Sequence, residues 1–228
     1  MNGPALALAT LSEVPAGDDW LSDSERETLA GLTIPARRRD WRLGRWTAKR
    51  AVAAVLDGTV VEVRAAGDGA PEALVAGRPA PVTISISHRA GLGACLASGA
   101  RQPAGCDLEL VEPRSPALAR DFFTPAELAL VASAGPEGRD LAVALVWSAK
   151  ESALKALRQG LRLDTREVED DLLHVASQGW RGLRVRHGER VFGGWWRLEG
   201  QHVLTVVTAP ESAPPALLGS RAPAGAPP

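Results

Sequence analysis

The order strand, capped helix, long helix, then strands occurs twice in this chain, and that repetition limits the fold more than any other feature. In the first half Ala5–Ala9 alternates like a strand, and Ser22-Asp-Ser-Glu25 is a capping-box start for a helix over 23–31. A long helix is predicted over 36–56, with Pro35 at its entry and Gly58 just past its end. Strands follow near 59–65, 82–87 and 93–98. The second half begins again with a strand at Gly105–Leu110 and a second capping box at Thr124-Pro-Ala-Glu127. A long helix then runs from Asp140 to Gln159 and stops at Gly160, before strands near 183–187, 190–197 and 202–208. The sequences of the halves barely match. Their shared order predicts an α+β fold of two similar halves, residues 1–104 and 105–208, related by a pseudo-twofold axis with a functional cleft between them. Residues 209–228 are rich in Pro, Ala and Gly and are expected to be a disordered tail.

Charge and hydropathy exclude several classes. A net charge of −1 over 228 residues is too balanced for a general nucleic-acid binder. No apolar run is long enough to span a bilayer, and the N-terminus lacks a basic region before its short apolar run, so it is not read as a signal peptide. A cytoplasmic protein is expected. The two cysteines, Cys95 and Cys106, lie in strand-like apolar segments and read as buried thiols, without the His or Cys spacing of a zinc site.

Lysine is scarce. Of 26 basic residues only Lys49, Lys150 and Lys155 are lysines, and the last two flank Glu151 in WSAKESALK. A lysine is a compact charge on a movable stem, suited to a phosphate or a proton relay. Trp147, Glu151 and Lys155 lie at i, i+4 and i+8, one stripe of a helix, which an ordinary surface pair would also give.

Three more segments carry chemistry. In Gly105-Cys106-Asp107-Leu108-Glu109-Leu110 the alternation of a strand points Asp107 and Glu109 the same way and Cys106, Leu108 and Leu110 into the core. Paired hard oxygen donors suit Mg²⁺, although a solvated strand face looks the same. The helix start at 36–50 places seven cations from Arg37 to Arg50, with Arg38, Arg42, Arg45 and Lys49 on one stripe. Such a face is either solvated or offset by a phosphate-rich or acidic partner. Finally, Ser87 and His88 end the strand TISISHR, where both can bind a phosphate. No Gly-x-Ser-x-Gly hydrolase elbow occurs.

The ordered set SISHRAG, GCDLEL, DFFTPAEL and WSAKESALKALRQGLRL resembles the 4′-phosphopantetheinyl transferases of the surfactin-synthetase-activating (Sfp) type. The basic helix extends the resemblance over most of residues 20–208. It implies a pseudo-dimer of two α+β halves that transfers the phosphopantetheine arm of coenzyme A to a serine of an apo acyl or peptidyl carrier protein, releasing 3′,5′-ADP. By resemblance Asp107, Glu109 and Glu151 hold Mg²⁺, and Glu151 takes the serine proton. Asp107 and Lys155 join it as catalytic residues, Lys155 steadying the leaving group. Lys150, Lys155, Ser87 and His88 bind phosphates, and Arg37 and Arg45 bind the adenosine phosphates of coenzyme A. Asp68 stands where relatives often carry a basic coenzyme A contact, with Arg78 a substitute. The implied partners are coenzyme A and a carrier of polyketide, nonribosomal peptide or siderophore assembly, docked through Arg114, Arg120, Phe122 and Phe123. A monomer without nucleic-acid or membrane partners is expected. A coenzyme-A-binding module without catalysis and a Mg²⁺-dependent phosphohydrolase are the competing readings.

Overall fold

The computed structural model describes residues 3–99, 102–177 and 179–218. The fold is mixed α+β in two compact units, residues 1–102 with 215–228, and residues 103–214.

Unit 1 holds β1 (Ala5–Thr10), α1 (Asp23–Gly31), α2 (Pro35–Val55), β2 (Glu62–Ala65), β3 (Pro71–Val75), β4 (Arg78–Pro79), β5 (Val82–Arg89) and β6 (Leu92–Gly99). The Ser22–Glu25 capping box starts α1, and Pro35 opens α2. β1, β6 and β5 pair antiparallel in that order, and β2–β3–β4 form a separate three-stranded sheet. Helix α2 lies close on β6. A Cβ at Gly93 would stand 2.8 Å from Thr47 Oγ1 and 2.9 Å from Leu43 Cγ, so only glycine fits beneath the helix. Ala48, Ala51 and Val52 of α2 pack with Val61, Val63, Ile84 and Cys95 in one core. Trp20 meets Trp46 edge-to-face at 5.3 Å in a second.

Unit 2 holds β7 (Ala104–Leu110), α3 (Pro116–Phe122), α4 (Pro125–Ser133), α5 (Gly135–Ala156), β8 (Val168–Ser177), β9 (Trp180–His187), β10 (Arg190–Glu199) and β11 (His202–Thr208). One antiparallel sheet runs β7–β11–β10–β9–β8. Ala149, Ala153 and Leu154 of α5 pack on Leu183, Val185, Phe192, Val203 and Val207. Here too a glycine lies beneath the long helix: a Cβ at Gly105 would stand 1.9 Å from the Ser152 carbonyl oxygen.

Three expectations change. Helix α5 starts at Gly135 rather than Asp140, and the acidic β8 was not anticipated as a strand. The tail is not structureless from residue 209. Ala216–Leu218 form β12, parallel to β1 with Ala5 opposite Ala216, and Ala216 N donates to the Pro4 carbonyl at 2.9 Å. The backbone hydrogen bonds of an open strand edge are enough to order a Pro-rich segment whose side chains bury little. Residues 219–228 lie outside the described residues.

Candidate active site

Strand register decides which way the acids of β7 face. Gly105, Asp107 and Glu109 stand opposite Val207, Thr205 and Val203 of β11, and the two valines belong to the core beneath α5. Asp107 and Glu109 therefore lie on the helix-covered face, with Cys106 and Leu108 buried on the opposite one. The expected solvated acidic face is absent here: Asp107 is 4% exposed. Gly105 permits this closeness, because the strand can approach α5 only where no Cβ intervenes.

Helix α5 brings three residues of one stripe against that face. Lys155 Nζ meets Asp107 Oδ1 at 2.6 Å and donates to the Cys106 carbonyl at 3.1 Å. Trp147 Nε1 donates to Glu109 Oε1 at 3.1 Å, and Arg114 holds Glu109 Oε2 at 2.6 Å. Glu151, between them on the helix, is pushed above the ordinary glutamate value by burial first, then by Asp107 and Glu109, with Lys155 opposing. For Lys155 burial pulls downward, but Asp107 and Glu151 outweigh it and the ammonium is raised. Trp147 and Arg114 are the partners that sequence reading missed. The sequence assigns Trp147 no role beyond its place on the stripe of Glu151, and Arg114 only a docking role.

Among the described residues no group of three or more His, Cys, Asp or Glu side chains stands ready to hold a metal ion. Asp107 is engaged by Lys155 and Glu109 by Arg114. The donor chemistry nevertheless suits a hard divalent cation. Three carboxylates are near enough for two to raise the proton affinity of the third, and such excess negative charge is what Mg²⁺ offsets.

Lys150, expected by resemblance to bind phosphate, has its ammonium engaged inside unit 2. It is fully buried, ion-paired to Glu127 at 2.7 Å, and donates to the carbonyls of Thr165, at 2.9 Å, and Val168. One residue before Glu151 on a helix, it points about 100° away from the Glu151 stripe.

The remaining candidates lie in unit 1. Most of the basic face of α2 is used internally. Arg38 donates to the Leu29 and Leu32 carbonyls, and Arg42 to Pro15, Ala16 and Gly17 while pairing with Asp18 at 3.0 Å. Lys49 pairs with Glu25 at 2.8 Å, and Arg50 donates to the Leu8 carbonyl at 2.8 Å. Repulsion along the helix is thus relieved by carbonyls and acids of the same unit. Arg37 is exposed. Arg45 is half-buried over the Trp41 ring at 4.6 Å, its Nε has no hydrogen-bond partner among the described residues, and burial lowers its pKa against the pull of Glu25. Ser87 is buried and His88 exposed at the end of β5, where Gly44 of α2 faces Ile86 and His88. Asp68 accepts from Ala70 N at 3.1 Å within its own turn, and Arg78 is exposed.

Residues 103–207 match the family model of the 4′-phosphopantetheinyl transferase superfamily, nearly the whole of unit 2. Unit 2 is thus the part of the chain that is similar to this superfamily. A holo-(acyl-carrier-protein) synthase from Bacillus anthracis, solved in complex with CoA (3′,5′-ADP), is similar at 21% identity and a TM-score of 0.37, covering 43% of this chain and 96% of that one. No curated protein matches the chain. No described helix is long and apolar enough to cross a membrane. Neither cysteine forms a disulfide among the described residues, and both are buried.

Proposed function

We propose that the chain is a transferase of the surfactin-synthetase-activating type, moving the 4′-phosphopantetheine arm of coenzyme A to a serine of an apo acyl or peptidyl carrier protein. The observation that carries the reading is the constellation of buried Asp107 with half-buried Glu151 and Lys155, and Glu109 beside it, inside the matched segment. The serine oxygen attacks the phosphorus that bears the pantetheine arm. The phosphorus–oxygen bond to the neighbouring phosphate breaks, and 3′,5′-ADP leaves with that bond's electron pair. A serine hydroxyl is a weak nucleophile and needs a base. Glu151 supplies one: its raised proton affinity brings it nearer the range in which a general base works at neutral pH. Lys155, held charged by Asp107, offsets the charge that grows on the departing phosphate.

Asp107, Glu109 and Glu151 would hold Mg²⁺, Glu109 exchanging Arg114 for the ion. When bound, the ion neutralises pyrophosphate charge and orients its oxygens. Arg45, Arg37, Ser87 and His88 are assigned to the phosphates of coenzyme A. Arg45 is the strongest of these, a half-buried guanidinium whose Nε has no hydrogen-bond partner among the described residues.

The carrier would serve polyketide, peptide or siderophore assembly in the cytoplasm, met by a monomeric enzyme. Its docking surface needs revision. Phe123 is buried and Arg114 is committed to Glu109. Exposed Arg120 remains, beside Phe122 and a groove of about 480 Å³ between α3, α4 and α5. Leu128, Val131 and Arg139 also line the groove, and no acidic residue does, which suits an acidic carrier. The test is intact mass of an apo carrier incubated with enzyme, coenzyme A and Mg²⁺. Gain of the phosphopantetheine arm supports the transferase. Coenzyme A bound with no gain leaves a non-catalytic binding module, and coenzyme A cleaved without an acceptor leaves a hydrolase.

A further inference from the structure

Two of the three lysines are buried, and both are held in the same way. In unit 1, Lys49 of α2 pairs with Glu25 at 2.8 Å and donates to the Val61 carbonyl at 2.5 Å. Glu25 also closes the capping box of α1 and accepts from Val63 N at 2.9 Å. In unit 2, Lys150 of α5 pairs with Glu127 at 2.7 Å and donates to the Val168 carbonyl. Glu127 closes the capping box of α4 and accepts from Asp170 N at 3.1 Å. Each glutamate thus ties a short helix, the long helix and a strand through backbone groups two residues apart. The local sequences agree as well: Trp46-Thr-Ala-Lys49 and Trp147-Ser-Ala-Lys150.

A buried ion pair is poor support for stability, because well-packed apolar residues often serve as well or better. What such a pair adds is direction. An ammonium held by one carboxylate and two carbonyls fixes how its helix is turned on the sheet. In unit 1 no acid follows the lysine, and the pin only seats α2. In unit 2 the next residue is Glu151, and fixing one residue of a helix fixes its neighbours at about 100° steps. On another flank of α5, Ser148 and Ser152 reach Thr205 of β11 at 2.9 and 2.7 Å. Two polar anchors therefore bracket the stripe of Trp147, Glu151 and Lys155.

We propose that Lys150, through Glu127, is a positioning residue that sets the rotation of α5 and so aims Glu151 and Lys155 at β7. This rests on the transferase reading above. The experiment compares the wild type with Lys150→Met, Glu127→Gln and the double variant Lys150→Met/Glu127→Gln, using coenzyme A, Mg²⁺ and an apo acyl carrier protein. Lys150→Met is expected to lower kcat roughly 10- to 100-fold, the scale of an ångström misplacement, with KM for coenzyme A changed less than about twofold. The double variant should recover part of the loss, because it leaves no buried carboxylate without its cation. A raised KM with kcat intact would make Lys150 a phosphate ligand and overturn the proposal, as would no change in either. Glu127→Gln keeps the cap and the acceptor oxygen, and reports the same kcat loss should Lys150→Met fail to fold. Thermal unfolding of the same set measures Lys150–Glu127 coupling without catalysis, and strict additivity overturns the pin. A wild type that transfers nothing removes the functional reading and leaves that coupling test standing.

Discussion

Lys155 Nζ lies 2.6 Å from Asp107 Oδ1 and also donates to the Cys106 carbonyl, so one ammonium joins helix α5 to strand β7 where the chemistry is proposed. The contact has two roles that substitutions separate. Lys155→Ala removes the cation from a carboxylate that is almost wholly buried. Transfer should fall by about 10²-fold, the cost of one positioned electrostatic group, and the melting temperature should fall with it. Lys155→Ala with Asp107→Asn should restore the melting temperature but not the rate. Steady-state kinetics and thermal unfolding of the two variants check this, and a double variant with recovered turnover would sink the assignment of Lys155.

Glu109 is held between Trp147 and Arg114, which makes metal binding an exchange rather than an addition. Arg114→Gln should therefore lower the Mg²⁺ concentration for half-maximal activity severalfold. Excess EDTA should abolish transfer and Mg²⁺ restore it. Tryptophan fluorescence gives a readout apart from activity: Mg²⁺ should change emission in the wild type but not in Trp147→Phe. Undiminished turnover in EDTA ends the metal assignment.

Arg45 stacks on Trp41 with its Nε unbonded among the described residues, a cation preorganised at the expense of solvation. A charge-assisted hydrogen bond to phosphate contributes on the order of 2 kcal/mol. Arg45→Ala should raise KM for coenzyme A roughly 30-fold and leave kcat nearly unchanged. Loss confined to kcat would count against a binding role.

Much of this was legible in the sequence, and the exceptions have physical causes. Both capping boxes and both long helices announce themselves through local chemistry: Ser22 with Glu25, Thr124 with Glu127, Pro35 at an entry. The common direction of Asp107 and Glu109 follows from strand parity, but which face a helix covers does not. That was set by Gly105, whose missing Cβ lets α5 descend. The burial of Lys150 away from the Glu151 stripe was foreseeable. A residue one step from Glu151 cannot share its stripe, and the repeated Trp-Thr-Ala-Lys and Trp-Ser-Ala-Lys marked a common structural use. The partners of the capping glutamates were hidden, because a capping box says nothing of what the carboxylate does on its other side. Strand β8 escaped notice because Glu169, Asp170 and Asp171 interrupt the alternation with acids, one of them buried.

That buried acid supplies the last prediction. Asp170 stands opposite Val185 of β9, on the core face, where unit 1 has the apolar Val63. Neither carboxyl oxygen accepts a hydrogen bond from a described residue, and the groups facing it are the Glu127 carboxylate and the Lys150 ammonium. Two carboxylates cannot donate to each other, so a bond between Asp170 and Glu127 exists only while one keeps a proton. Burial first, then that bond and the charge of Glu127, raise Asp170 well above the ordinary aspartate value, against the pull of Lys150. Below about pH 4 the folded and unfolded chains both hold this proton, and it has no effect on stability. As pH rises the unfolded chain releases it and the folded chain does not, so stability falls until the raised folded value is passed. Asp170→Asn keeps a donor to Glu127 and removes the proton from the equilibrium. The variant should melt above the wild type at neutral pH, and the gap should close as pH approaches 4. Thermal unfolding from pH 4 to 8 reads this directly. A gap that stays constant with pH would mean that Asp170 is ionised in the folded protein and that the cluster of Lys150, Glu127 and Asp170 carries a net negative charge.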